Sequence, residues 1–161
     1  MVEVIRDHPQ ENERGTAMLT ILTQPGRCFM GRLAKGDDLL QSLEKFCQEQ
    51  QITLGEVRAL GAVSRARVGF YQQEERKYYF LDLDQPLEIL ALVGNISLKD
   101  GKPMVHAHVT LGDTAGRAWG GHLAEGTPVF ACEFAVHEYQ ADQTLARQHD
   151  PATGLMLWSA S

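Results

Sequence analysis

His106 and His108 stand two apart in the stretch Met104-Val-His-Ala-His-Val-Thr-Leu-Gly-Asp113, a run of alternating character. Alternate side chains of a strand share a face, so both imidazoles point one way while Val105, Ala107 and Val109 point the other. A third histidine, His122, follows Gly120-Gly121, a pair that reads as a tight turn. Three neutral imidazoles converging from a strand and a turn suit zinc or a similar divalent metal, with one coordination position left for water or a ligand. The plainer alternative is that one or two of these histidines hydrogen-bond backbone in a half-buried sheet.

Carboxylates near such a site would supply a base or orient an imidazole. Asp113 lies between the histidines in the Leu-Gly-Asp turn, where it would either support an imidazole through its second nitrogen or cap the turn. Glu88, Glu125, Glu133 and Glu138 are the other candidates for a general base, and spacing places none of them. Glu133 is unusual in an otherwise apolar strand; an edge strand with its carboxylate in water accounts for it equally well. Ser64 and Ser97 lack a Gly-X-Ser-X-Gly elbow, and no Gly-rich phosphate loop is present. Acyl-enzyme chemistry therefore has no support.

The elements that must position these residues follow from periodicity. Gly36-Asp37-Asp38 offers a carboxylate cap ahead of Leu39, Leu40, Leu43, Phe46 and Cys47, whose three- and four-residue spacing predicts an amphipathic helix. Gln41, Glu44, Lys45, Gln48 and Glu49 form its polar side, as in a helix lying over a sheet. Ahead of it, Met18 to Thr23 and Cys28 to Leu33 read as a hairpin closed at Gln24-Pro25-Gly26. Beyond it, strands are predicted over Ile52 to Val63, Arg65 to Gln72, Lys77 to Leu83, Leu87 to Leu98, Met104 to Leu111 and Val129 to Tyr139. Their short links favour antiparallel pairing. Leu87 to Leu98 is apolar on both sides and reads as a central strand buried twice. Ala141 to Gln148 reads as a short helix or an exposed arm, broken at Asp150-Pro151. Leu155 to Trp158 is apolar enough to dock on the body or on another subunit.

A chain of 161 residues, 43% hydrophobic and 22% charged, has the size and composition of one soluble domain. The expected division is a flexible segment over 1–15, a single domain over 16–140 and a C-terminal extension over 141–161. No apolar run approaches the ~20 residues needed to cross a bilayer. The polar start lacks the basic-then-apolar order of a secretion signal, and Cys28, Cys47 and Cys132 are too few and scattered for a disulfide framework, so a cytoplasmic location is expected. A net charge of −6 disfavours nucleic acid as a partner. Arg58, Arg65, Arg67, Arg76 and Lys77 make a locally basic stretch, but Glu56, Glu74 and Glu75 are interleaved with it.

Several motifs occur in a telling order: Gly36-Asp-Asp-Leu-Leu, Gly61-Ala-Val, Pro86-Leu-Glu-Ile-Leu-Ala-Leu-Val-Gly-Asn-Ile-Ser-Leu, His106-Ala-His-Val-Thr-Leu-Gly-Asp, then Gly120-Gly-His-Leu with Gly126 soon after. This order resembles the PPC (plants-and-prokaryotes conserved) domain family over roughly Cys28 to Tyr139. The resemblance implies an α+β fold, mainly antiparallel sheet with one principal helix packed on it, and a homotrimer. It also implies distant kinship with acetolactate-decarboxylase-like folds, in which clustered histidines hold zinc; that strengthens metal ligation by His106, His108 and His122. In plants the domain is joined to AT-hook segments that bind A·T-rich minor grooves. This sequence has no Arg-Gly-Arg-Pro core, so a DNA-associated role would rest on family naming only.

The expected protein is thus a small, cytosolic, trimeric metal-binding protein with a small-molecule ligand as a further partner. Its rivals are a metal-dependent hydrolase or decarboxylase of a small acid, a metal-free scaffold and a DNA-associated regulator.

Overall fold

Asp38 shows how local chemistry builds this fold. Its Oδ1 accepts hydrogen bonds from the Leu40 and Gln41 amides, both at 3.1 Å, satisfying two of the four amides that open a helix. Its Oδ2 accepts from the Gly126 and Thr127 amides at 2.7 and 2.9 Å, so the same cap fastens a distant loop. The helix that follows turns Leu39, Leu43 and Cys47 into the core with no exposure. Its apolar stripe lies over one face of a sheet, as the spacing predicts.

The computed structural model describes residues 18–161. In chain order the elements are β1 (Gln24–Leu33), α1 (Leu39–Glu49), β2 (Gly55–Val63), β3 (Ala66–Gln72), β4 (Lys77–Leu83), β5 (Leu87–Lys99), β6 (Lys102–Gly112), β7 (Ala118–Leu123), β8 (Val129–Gln140), β9 (Leu145–His149) and β10 (Met156–Ala160). The main path of the sheet is β1-β8-β2-β5-β6-β7-β3-β4, antiparallel throughout, and β9 joins β5 through a parallel bridge at Leu98 and Ala146. The architecture is α+β, with one helix among the described residues.

The core lies between α1 and one sheet face, where Val57, Leu92, Ile96, Val105, Val109, Leu111 and Val136 are at most 3% exposed. Phe46 on the helix meets Phe29 and Phe134 edge-on, with ring centroids 5.3 and 5.1 Å apart. Among the described residues, no helix covers the opposite face. Burial of β5 therefore alternates: Leu92 is 1% exposed while its neighbour Val93 is 59% exposed, so the strand is central but not buried twice within one chain.

Four further expectations need correction. Gln24-Pro25-Gly26 does not close a hairpin; it begins β1, an edge strand whose pairing with β8 is irregular between Pro25 and Cys28, a setting that tolerates proline. Met18 to Thr23 is not strand. Gly120-Gly121 is not a turn but the middle of β7, paired with Thr110 and Val109. Ala141 to Gln148 is neither helix nor arm over its second half, because β9 and β10 form a hairpin closed around Asp150-Pro151. The segment expected over 1–15 lies outside the described residues.

Candidate metal centre

The β6 alternation sends His106 and His108 to the sheet face away from α1, and His122 on β7 lies directly across the ladder from His108. Ring centroids are 5.4 Å apart for His106 and His108, 5.0 Å for His106 and His122, and 5.6 Å for His108 and His122. One nitrogen from each ring falls within 4.8 Å of the other two. Three nitrogens ~2.05 Å from one tetrahedral ion would stand about 3.3 Å apart, so closing on a metal takes imidazole rotations on the order of 1 Å.

Glycines let the third histidine reach this position. A Cβ on Gly120 would lie 2.6 Å from the Val109 carbonyl oxygen, and one on Gly121 would lie 2.7 Å from that of Gly69. Side chains there would push β7 away from its neighbours. Gly69 pairs with His122 itself. Its missing side chain leaves room for Tyr78, whose ring centroid lies 5.1 Å from that of His122.

The electrostatics favour neutral imidazoles. Burial, then the positive charge of Arg147, then His122 and His108 push the His106 pKa down to about 4. Burial, then His108 and Arg147 lower that of His122. Neutral imidazole is the metal-binding form, so neither ring needs to shed a proton near neutral pH. Nδ1 of His122 is buried and has no hydrogen-bond partner among the described residues. A buried polar atom without a partner carries a desolvation cost that a bound ion would remove.

Arg147 arrives on β9 from a part of the chain not singled out by sequence. Its Nη2 donates to Asn95 Oδ1 at 2.8 Å, its Nε to Ser97 Oγ at 3.2 Å and its Nη1 to the Met156 carbonyl at 3.0 Å. Trp158 on β10 donates to the same Ser97 Oγ at 3.2 Å. Two cavities meet at His106. One, of about 570 Å³, is lined by His106, His108, Asn95, Glu56 and Trp158 among others; the second, of about 390 Å³, includes His106, His122, Tyr78 and Arg147.

Asp113, Glu88 and Glu133 are not brought to the triad, and Glu138 on β8 accepts from Arg27 Nε at 2.6 Å. The Asp113 side chain is 2% exposed. It accepts from the Ala115 and Arg117 amides at 2.8 and 3.0 Å, from Arg117 Nε at 2.7 Å and from Trp119 Nε1 at 3.1 Å. Of the two roles open to it, this is turn capping; no imidazole is among its partners. Glu88 pairs with Gly112 on β6, five residues along β5 from the partner of His108, roughly 15 Å at strand spacing. Glu133 sits on β8, an interior strand and not an edge, and three strand spacings of about 4.8 Å separate β8 from β6. Among the described residues, Glu56 is the one carboxylate lining the larger cavity. It contacts His137 Nδ1 at 3.2 Å and Arg58 at 3.6 Å.

Tyr78, Asn95, Glu56 and Arg147 also line the two cavities, and no spacing in the sequence points to them. The turn residues Asp150-Pro151-Ala-Thr-Gly154 ahead of the apolar Leu155-Met-Leu-Trp158 signal the hairpin turn, but the stretch 144–149 before them is mostly polar and nothing in it points to Arg147 as part of the site.

Comparison with known proteins fits this geometry. The family model for the Plants and Prokaryotes Conserved (PCC) domain matches residues 22–140. The metal-containing protein of Archaeoglobus fulgidus is 42% identical, with a TM-score of 0.84 over 88% of this chain and 99% of that one. A plant- and prokaryote-conserved protein of Pyrococcus horikoshii is 34% identical, with a TM-score of 0.83 over 88% of this chain and 97% of that one. The bifunctional protein GlmU of Synechococcus sp. (strain JA-3-3Ab) is 37% identical over 81% of this chain, which spans 20% of that protein's length.

Proposed function

We propose, from the premise that the chain belongs to the Plants and Prokaryotes Conserved domain family, that it is a metal-binding protein whose ion is held by His106, His108 and His122. The observation that carries this reading is the cluster of three imidazoles, one nitrogen of each lying within 4.8 Å of the others, together with a buried His122 Nδ1 that has no hydrogen-bond partner among the described residues. An all-imidazole donor set favours zinc or a similar divalent metal over calcium or magnesium, which prefer oxygen. When bound, such an ion supplies Lewis acidity and an open coordination position. The metal-containing relative from Archaeoglobus fulgidus supports the same reading.

The test is metal analysis of protein purified without a histidine tag. About one transition-metal ion per chain is expected, and His106→Ala combined with His108→Ala should abolish it. Absence of stoichiometric metal in wild-type protein, even after incubation with zinc and gel filtration, would remove the basis of the proposal.

A homotrimer is part of this reading, supported by the uncovered sheet face. Met30, Leu60, Leu90, Val93 and Phe130 are each more than half exposed there, an unusual concentration unless another surface covers them. Residues 16–140 form the domain and 141–161 an extension in the same proposal. A cytoplasmic location draws support from three free cysteines; no helix among the described residues is long and apolar enough to cross a membrane.

Binding is favoured over turnover. Hydrolysis through a metal-bound water calls for a general base, and decarboxylation for a proton donor at the carbon that loses CO2; Glu56, the one carboxylate lining the larger cavity among the described residues, is already engaged by His137 and Arg58. A DNA-associated role is disfavoured by the net charge of −6 and by the pairing of Arg58, Arg67 and Lys77 with Glu56, Asp82 and Glu75. No gel shift with duplex DNA is expected at physiological salt.

A further inference from the structure

The smaller cavity beside the triad has a charge that the rest of the chain does not share. The chain carries a net charge of −6, yet Arg76, Lys77, Lys99 and Arg147 line this cavity together with His106 and His122, and among the described residues no Asp or Glu does. Two of the four cations are engaged elsewhere. Lys77 pairs with Glu75, and Arg76 donates to the Pro151 and Ala152 carbonyls at 3.1 and 3.3 Å. Arg147 and Lys99 have no carboxylate within 4.0 Å among the described residues, whereas Arg27, Arg58, Arg67 and Arg117 each have one.

Arg147 is also held in a way that suits recognition. Its three hydrogen bonds go to neutral acceptors, Asn95 Oδ1, Ser97 Oγ and the Met156 carbonyl. A guanidinium has five N–H donors, so two remain, one on each terminal nitrogen. Ser97 is fully buried and also takes the Trp158 indole N–H, which fixes the platform on which the guanidinium rests. A half-buried cation with rigid support and no counter-ion is costly unless an anion completes it. Bidentate geometry makes arginine the side chain suited to a planar carboxylate or a phosphate.

We propose that the cavity between the β9–β10 hairpin and the histidine triad binds a small oxyanion, a carboxylate or phosphate group, on Arg147, with the remainder of the ligand reaching the metal at His106 and His122. The metal half of this statement rests on the function proposed above; the anion half stands on Arg147 alone. A cavity of about 390 Å³ is of small-molecule size. Arg147 lies beyond residue 140, where the family match ends. The arginine of the subsite is supplied by the first strand of the C-terminal hairpin, outside the stretch that defines the family.

The test uses the untagged full-length protein, zinc-loaded and metal-free, titrated calorimetrically with acetate, succinate and inorganic phosphate against chloride at matched ionic strength. At least one oxyanion should bind more tightly than chloride, and the arm that does so separates carboxylate from phosphate. Arg147→Gln should weaken that binding at least tenfold with metal content unchanged. Arg147→Lys, which keeps the charge and the aliphatic stem, should weaken it several-fold and serves as the test if the glutamine variant does not fold. Equal affinity of wild type and Arg147→Lys, or no preference over chloride in either metal state, would overturn the proposal. Anion binding that depends on Arg147 but is indifferent to zinc would remove the metal contact while leaving the anion subsite in place.

Discussion

Two half-buried polar residues stand on and beside the β6–β7 ladder, and they have opposite hydrogen-bond balances. Asp113 follows β6, its side chain almost without exposure, and collects four N–H donors, three from its own turn and one from Trp119 on β7. His122, near the other end of β7, has a buried Nδ1 with none. In the sequence His122 stands out as a third imidazole after a glycine pair, and Asp113 as a carboxylate in the turn between the histidines. The difference is that the fold completes the first and leaves the second incomplete. A satisfied buried polar group stabilises the chain that contains it, whereas an unsatisfied one among two other imidazoles gains only when something outside the chain arrives.

Substituting the triad should break this comparison most sharply. His108→Ala and His122→Ala should each lower metal affinity at least ~100-fold, because two imidazoles and water make a much poorer site than three. Asp113→Asn should leave that affinity unchanged, as equilibrium dialysis with zinc would report. Equal losses at both positions would mean that the two sites are not separate.

Next in size is the backbone that brings the histidines together. Gly120→Ala puts a Cβ against the Val109 carbonyl oxygen, 2.6 Å away before any adjustment. Relief requires β7 to shift from β6. We expect a loss of about 2–4 kcal/mol in denaturant unfolding, in the range of backbone-strain substitutions, together with weaker metal binding. An alanine variant of wild-type stability would show that the close approach of β6 and β7 is not required.

A smaller effect of opposite sign is expected at His122 in the metal-free protein. His122→Leu replaces a buried, unpartnered nitrogen by apolar volume, so the apo form should keep its stability or gain about 1 kcal/mol, while losing its metal site. Destabilisation by several kcal/mol on urea unfolding would mean that the fold itself satisfies His122.

How far these sites could be read from sequence follows the range of the interactions involved. The Asp38 cap and the Leu39, Leu43 and Cys47 stripe are local, and the helix they specify is where periodicity puts it. His106 and His108 share a face through strand alternation alone. His122 reaches them from β7, not from a turn, because Gly120 and Gly121 serve the close approach of three strands; a pair of glycines has the same appearance in either role. Leu90 and Val93 have core composition but lie on a face that α1 does not cover. Arg147 depends on one bridge between Leu98 and Ala146, a contact between distant parts of the chain that no local pattern encodes. Asp113 lay beside the histidines in sequence, and there the satisfied turn and the unsatisfied triad could not be told apart.

Acid titration gives the last and smallest of these separations. Hydrogen bonds from Trp119 and then from Arg117 hold the Asp113 carboxyl down to about 2, below its ordinary value of 3.8. The ionised form is therefore favoured by the folded state. Its contribution is complete once the pH is well above 3.8, and it is lost as the pH falls from there through about 2. Asp113→Asn keeps one acceptor for the turn but cannot titrate. Its melting temperature should lie a few degrees below that of wild type between pH 7 and about pH 5, a gap that narrows on acidification and closes near the folded-state value. The other carboxylates titrate in both proteins and cancel in the difference. Metal content measured at pH 7 should be the same in both. A gap that persists undiminished at the acid end would show that the ionised carboxylate is not what the turn requires. A loss of metal at neutral pH would join Asp113 to the triad and end the distinction between the satisfied and the unsatisfied site.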